Sequence, residues 1–472
     1  MSEIQFGTDG WRGVIADDFT FANVERVSQA AADNWSAHPV AGTERKVVIG
    51  YDRRFLSAEF AGRTAEVFVA NDFAVILTPD PTPTPCVSFA VKQLHAVGGV
   101  MITASHNPPK FNGFKLKAHF GGSADSAECA AVEKLLSVSP VRRRPVASAI
   151  GDRGIRFRDL RPAHFRAIKR LVDFPLIAKS GLRVAHDALF GVGAGCFTTL
   201  LAGTTCQVTT LNGTPDPLFG GINPEPLAKN YVLGAAALRR DPHDFCLVTD
   251  GDADRIGAMD GHGQALSNQQ VIALLLHHLV RNRKGHGRIV KTINTTALVD
   301  KMCAAWGLPL TEVGIGFKYI AAEMLRGDVL FGAEESGSVG FAGHIPERDG
   351  LAAGLFLLEL LATERVSANR ILARLEKEFG PHRYGRIDAR FPLEQRAALM
   401  AWLPANAPAR LGRSPVSAVK TFDGVKFESA NGAWLGLRGS GTEPILRIYA
   451  EAGSEAELQR LLQLGVKLTR QV

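Results

Sequence analysis

The chain has 472 residues, of which 46% are hydrophobic and 21% charged, an ordinary globular make-up that excludes disordered, collagen-like and disulfide-scaffold classes. Lys and Arg outnumber Asp and Glu by 54 to 47, and a net charge of +7 over this length favours anionic small molecules in a cleft but is too dilute to argue for nucleic acid. At about 150 residues per domain the length corresponds to roughly three domains, with two or four also compatible.

The N-terminal residues Met1 to Phe6 carry neither a basic nor an apolar signal region, so no secretory leader is expected. Short apolar runs then alternate with longer amphipathic stretches, the pattern of α/β units. In chain order, a strand is predicted over 46–50, a helix over 57–70, strands over 74–77, 99–103 and 182–185, and a helix over 194–201. A strand over 245–248, a helix over 268–282, a strand over 288–290 and helices over 317–325, 349–363 and 455–464 complete the pattern. The most apolar helical run, 350–358, lies between Asp349 and Glu359, far short of the ~20 apolar residues a membrane span needs. No membrane association is expected.

Clusters of Pro, Gly and charge near 140–154 (where Arg142, Arg143 and Arg144 read as a solvated inter-domain loop), near 260–263 and at Gly380-Pro381 divide the chain. The predicted units are 1–148, 149–262, 263–380 and 381–472. The last differs in texture, with Pro404, Pro408 and Pro415 ahead of the strand-like stretches 425–427 and 434–437, and reads as a smaller α+β unit. Three blocks of similar length and texture are compatible with a repeated architecture. The six cysteines form no C-x-x-C pair and read as reduced core thiols of a cytoplasmic protein.

Several chemistries lack their motif. No G-x-S-x-G, Walker A, H-E-x-x-H or complete G-x-G-x-x-G occurs; Gly191-Val192-Gly193-Ala194-Gly195-Cys196 breaks the last at its final position. Four polar loops remain, each after an apolar run. In Asp250-Gly251-Asp252-Ala253-Asp254-Arg255, three carboxylates at alternate positions can converge on a hard divalent cation. An EF-hand fails because Arg255 and Gly261 stand where Gly and Glu are required, and three carboxylates plus water and a phosphate fit Mg²⁺ best. A solvated acidic turn is the bland alternative, disfavoured by mutual repulsion.

The second loop, Thr103-Ala104-Ser105-His106-Asn107-Pro108, presents a serine at a strand edge, with Lys115 close behind; a side-chain-capped turn competes with a reactive serine. In the third, Gly332-Ala333-Glu334-Glu335-Ser336-Gly337, acceptors at Glu334 and Ser336 alternate and can face vicinal sugar hydroxyls, or merely cap a turn. The fourth, Arg438-Gly439-Ser440-Gly441-Thr442-Glu443-Pro444 with Arg447 beyond, can build an anion nest flanked by two guanidiniums, against a plain Gly-rich turn.

These loops, preceded by Phe6-Gly7-Thr8-Asp9-Gly10-Trp11-Arg12-Gly13 and taken in this order over the whole chain, resemble the α-D-phosphohexomutase superfamily of phosphoglucomutases and phosphomannomutases. The resemblance implies three related α/β domains with mixed sheets plus a smaller C-terminal α+β domain around a central cleft. Ser105 matches the family's phosphorylated serine, and Asp250, Asp252 and Asp254 match its Mg²⁺ ligands, completed by the phosphate on Ser105. Arg12, His106 and Lys115 match positions around the transferring phosphoryl group, Lys115 as a proton donor or acceptor, and Arg255 lies beside the metal loop, facing substrate, as a further catalytic residue. Gly316, Lys318, Glu334 and Ser336 match substrate contacts. Arg438, Ser440, Gly441, Thr442 and Arg447 match the site of the non-reacting phosphate.

The implied activity is interconversion of hexose 1-phosphate and hexose 6-phosphate through phosphoserine and a 1,6-bisphosphate. A glucose 1,6-bisphosphate-type activator would prime the serine, and the protein would be a monomer or homodimer. Where some phosphomannomutases and the phosphoglucosamine branch carry His, this chain has Ser338, and the segment 343–350 resembles the phosphoglucomutase branch, with His344 a stand-in for the second proton-transfer group. Glucose phosphates are therefore expected, ahead of mannose phosphates, dual use or glucosamine phosphates. A Mg²⁺-dependent sugar phosphatase or a non-catalytic sugar-phosphate sensor would leave Ser105 without a task.

Overall fold

A computed structural model describes residues 4–7, 9–152, 154–439 and 444–471. Four β-sheets appear in succession along the chain. In the first, strand Ala96–Ile102 pairs in parallel with Glu44–Tyr51, which pairs in parallel with Ala74–Leu77; on its other side it pairs antiparallel with Phe111–Ala118. The second repeats this scheme with Phe245–Thr249 between Arg183–Asp187 and the antiparallel Ile256–Asp260, and with Gln207–Leu211 parallel beyond. The third repeats it with Val329–Ala333 between Arg288–Thr292 and the antiparallel Val339–Phe341, and with Leu310–Val313 outermost. One sheet plan thus occurs three times without visible sequence repetition. The fourth sheet is six-stranded and antiparallel throughout, covered by helices Arg396–Ala405 and Glu455–Leu468.

The boundaries shift slightly from expectation. Strand Ile155–Phe157 pairs with Ala74–Leu77 and forms the edge of the first sheet, so the first unit runs beyond 148. Ala265–Leu266 pairs with Ala258 and Met259, carrying the second sheet past 262. The predicted helix 268–282 is α-helical over Asn268–His277 and continues as a π-helical turn over His278–Asn282.

Packing explains why the run 350–358 is apolar on every side. Helix Gly350–Glu364 is buried from Gly350 through Ala362 and touches helices Arg161–Lys169, Phe174–Ala178 and Asn268–His277. A helix buried all round has no polar face to keep. No helix among the described residues is long and apolar enough to cross a membrane. The core around this helix is continuous across three units, from Val87 and Met101 through Phe197 and Leu247 to Phe331 and Phe356. The fourth unit keeps a separate core around Phe427, Leu435 and Ile448. All six cysteines are unpaired.

The N-cap of the central helix, Asp349, also joins units. Its Oδ1 accepts from the N–H groups of Leu351 and Ala352, while Oδ2 meets Nε2 of His164 at 2.6 Å and Nε2 of His344 at 2.8 Å. Because Leu358 is fully buried at the centre of the shared core, Leu358→Ala should destabilise the protein by about 2–5 kcal/mol in urea unfolding. Val232→Ala at an exposed site should stay within about 0.5 kcal/mol of the parent.

Candidate active site

The threefold sheet plan places the chemistry. The loops of Ser105, of the three aspartates and of Glu334 each follow the strand at which parallel pairing gives way to antiparallel pairing: Ala96–Ile102, Phe245–Thr249 and Val329–Ala333. Strand order changes there, and hydrogen bonds from Ser105 to Asp250 and from Ile256 to Gly337 bring the loops at these carboxyl ends together.

Ser105 is buried and adopts φ +50°, a left-handed conformation that L residues avoid. Its Oγ donates to Asp250 Oδ2 at 2.7 Å, and His106 Nδ1 lies 3.3 Å away. The first and second units meet here backbone to backbone: a Cβ at Gly251 would stand 2.5 Å from the Ser105 carbonyl oxygen, so a residue without a side chain is required.

The three aspartates are fully buried and offer carboxylate oxygens within 4.8 Å of one another. Asp250 Oδ1 accepts from the N–H groups of Asp254 and Arg255, Asp252 Oδ2 from Thr84 Oγ1 at 2.6 Å, and Asp254 Oδ2 from Arg348 Nε at 2.7 Å. Oδ1 of Asp252 and Oδ1 of Asp254 are buried with no hydrogen-bond partner among the described residues. Two orphaned anionic oxygens beside an Asp250–Ser105 pair fit a divalent cation with oxygen ligands.

Electrostatics set the state of each group. Burial, reinforced by Asp252 and Asp254, pushes the Asp250 carboxyl well up. Asp252 is held low: burial opposes its charge, but Lys115 and Thr84 outweigh it. Lys115 Nζ lies 2.8 Å from Asp252, 3.0 Å from Asp254 and 2.9 Å from Asp9. Burial works against its ammonium, yet these carboxylates raise its pKa, so Lys115 remains a cation. Burial together with Arg255, Arg12 and Lys115 keeps the His106 imidazole neutral.

Arg12 reaches Asn107 Oδ1 at 2.8 Å, and Arg255 lies 3.9 Å from Glu225; the Nε of each is buried without a hydrogen-bond partner among the described residues. Glu334 sits in a tight hairpin turn, its N–H donating to Ser338 and its carbonyl accepting from Gly337. Gly337 in turn accepts from the Ile256 N–H, which ties the Glu334 loop to the aspartate hairpin. Ser336 and Ser338 hydroxyls pair at 3.0 Å. Burial raises the Glu334 carboxyl to about 7. Gly316 begins helix Phe317–Met324, and Lys318 Nζ donates to Ser126 of the first unit at 2.7 Å.

In the fourth unit Arg438 and Arg447 stand directly opposite on antiparallel strands, with Asp388 opposite Arg447 on its other side. Arg438 Nε meets Asp423 Oδ1 at 2.7 Å, and Asp423 Oδ2 accepts from the Ile315 N–H of the third unit. Ser440, Gly441 and Thr442 lie outside the described residues.

Sequence reasoning missed Asp9, Thr84 and Arg348 as site residues. Arg348 bridges Asp254 and Asp9, and Lys117 with Ser123 meets Glu347. The charged stretch Glu347-Arg348-Asp349 was visible, but its insertion beside the aspartates is a tertiary event. His344, the stand-in for proton transfer, is engaged with Asp349, and Arg348 is the neighbour of the triad instead.

Comparison with known proteins shows the family. Residues 3–139, 162–263 and 267–379 match α/β/α domains I, II and III of phosphoglucomutase/phosphomannomutase, and 390–464 match the C-terminal domain. A phosphoglucomutase/phosphomannomutase of Thermococcus kodakarensis is 30% identical over 466 residues, covering 98% of both chains. A phosphoglucosamine/phosphogalactosamine mutase of Sulfurisphaera tokodaii is 29% identical over 95% of each. The crystal structure of a candidate phosphomannomutase from Thermus thermophilus superimposes with a TM-score of 0.85 at 35% identity over 99% of each chain. The chain therefore belongs to the phosphoglucomutase/phosphomannomutase family of the α-D-phosphohexomutase superfamily, enzymes of the isomerase class.

Two outcomes follow from the geometry. Thr84→Val removes a hydrogen bond to Asp252 while keeping the side chain's shape, and should weaken Mg²⁺ binding by about 10-fold in calorimetric titration. The folded protein retains the Glu334 proton up to about pH 7, whereas the unfolded chain loses it near 4.5. Stability is therefore lost as pH rises between those values. Glu334→Gln should raise Tm relative to the parent at about pH 8 and leave it unchanged near pH 4.

Proposed function

We propose that the protein interconverts glucose 1-phosphate and glucose 6-phosphate, using Ser105 as a reusable phosphoryl carrier and Mg²⁺ held by Asp250, Asp252 and Asp254. The observation that carries this reading is the Ser105 hydroxyl, buried in a left-handed turn with its Oγ 2.7 Å from Asp250. Such a serine is costly to maintain unless it reacts. A bound Mg²⁺ would neutralise charge on the phosphoryl oxygens. Phosphoserine 105 would pass its phosphoryl group to the free 6-hydroxyl of a hexose 1-phosphate; the bisphosphate would turn within the cleft and return its 1-phosphate to the serine.

Each residue then has a task. His106, held neutral 3.3 Å from Oγ, lines the phosphoryl site, and over each transfer the acceptor hydroxyl's proton ends on the oxygen that releases the phosphoryl group. Lys115, Arg12 and Arg255 act as fixed cations around the transferring group, so the site works mainly by positioning and electrostatics. Glu334 and Ser336 receive sugar hydroxyls. Arg438 and Arg447 grip the phosphate that does not react, and binding there would compete with Asp423 for Arg438. Either phosphate suits this grip, which is what a substrate that turns end over end requires.

The preference for glucose rests on the segment 343–350 and on Ser338, whose hydroxyl pairs with Ser336 where another branch has an imidazole. Coupled assays on glucose, mannose and glucosamine 1-phosphates should give the highest kcat/KM for glucose; a 10-fold advantage for either of the others would overturn that preference. Intact-mass spectrometry should show one added phosphate that Ser105→Ala abolishes. Asp252→Ala should remove Mg²⁺-dependent turnover and keep the fold; unchanged turnover would refute the metal assignment.

A further inference from the structure

Arg54 is only 3% exposed and is hydrogen-bonded to the reactive loop. All five of its N–H groups are committed. Nε meets Asp52 Oδ2 at 3.1 Å; Nη1 donates to the carbonyls of Pro108 at 2.9 Å and Phe111 at 3.0 Å; Nη2 donates to those of Ser105 and Asn107, both at 2.7 Å. The guanidinium face lies 4.9 Å from the centre of the Phe219 ring, a residue of the second unit.

Its partner Asp52 closes the circuit. Asp52 Oδ1 accepts from the Arg54 N–H and from Ser57 Oγ, and Oδ2 accepts from Thr103 Oγ1 at 2.7 Å. That same Thr103 oxygen accepts the Ser105 N–H at 2.8 Å. The Ser105 residue is therefore gripped at both ends, its N–H by Thr103 and its carbonyl by Arg54. Those two restraints fix the φ of +50° that directs Oγ at Asp250. The grip also bears on the metal loop, because the carbonyl held by Arg54 is the one against which Gly251 packs.

We propose that Arg54, acting with Asp52 and Thr103, is the positioning residue that sets the aim of Ser105 for phosphoryl transfer. The inference rests on the reading of Ser105 as the phosphoryl carrier. Four loop carbonyls converge on one planar fork of donors; a lysine offers a point charge and three donors and cannot hold all four. Misaiming a reacting atom by about an ångström costs on the order of 100-fold in rate without loosening substrate binding.

The experiment follows loading of Ser105 from radiolabelled glucose 1,6-bisphosphate by rapid quench, alongside kcat and KM for glucose 1-phosphate. In Arg54→Lys, the loading rate and kcat should fall together by about 100-fold while KM stays within about 3-fold. In Thr103→Val, which attacks the other end of the grip, both rates should fall by about 10-fold, and the double variant should lose less than the product of the two. If the parent protein takes no label on Ser105, the phosphoserine reading fails and takes this inference with it. If the parent labels and folded Arg54→Lys labels equally fast, the inference alone is overturned. Should Arg54→Lys not fold, Thr103→Val decides: an unchanged loading rate there, with only Tm lowered, shows a purely structural network and sinks the proposal.

Discussion

Three buried carboxylates within 4.8 Å of one another are the constraint around which this molecule is organised. At an effective interior dielectric, a pair of unit charges at such a distance repels by roughly 3–4 kcal/mol. Burial and that repulsion push the Asp250 carboxyl well up, while Lys115 holds Asp252 low. The triad exists only because cations are brought to it. Lys115 arrives from the first unit and Arg348 from the third, each satisfying carboxylates of the second. The two oxygens left without partners mark where a further cation belongs.

That requirement welds three units together. The aspartate loop is held from the first unit by Thr84, Ser105 and Lys115, and from the third by the Gly337 carbonyl and by Arg348. At the start of the central helix, a Cβ on Gly350 would stand 2.4 Å from the Arg255 carbonyl oxygen, so the helix abuts the loop directly. The continuous core beneath follows from the same geometry, since loops that must meet within a few ångströms need scaffolds that do not slide. The fourth unit is attached differently. It has its own core and meets the third through polar contacts, Asp423 with Ile315, Arg386 with Glu335, and Lys420 with Glu312.

Much of this was legible beforehand for identifiable reasons. Strands such as 74–77 and helices such as 57–70 have periodicities strong enough to declare themselves, and the structure has them at those bounds. The Asp250 loop and Ser105 were readable because their chemistry is concentrated in a few consecutive residues. Thr84, Arg348 and Arg54 were not, because nothing in their local sequence separates them from surface polar residues; only their partners, 51 to 339 positions away, give them meaning. The fourfold division was visible in the Pro and Gly clusters, but the strand 155–157 crossed the expected boundary because an edge strand belongs to whichever sheet has an open neighbour.

The sequence by itself determined the fold class, the order of the reactive loops and the family, since each depends on short-range patterns of apolar residues, glycines and charges. Only the tertiary structure decided that the three aspartates share a site with Lys115 and Arg348, that His344 is engaged with Asp349, and that the φ of Ser105 is held by an arginine 51 residues before it. The reason is physical: a buried charge takes its protonation and its role from groups within a few ångströms, and which groups those are is fixed by packing between units rather than by neighbours along the chain.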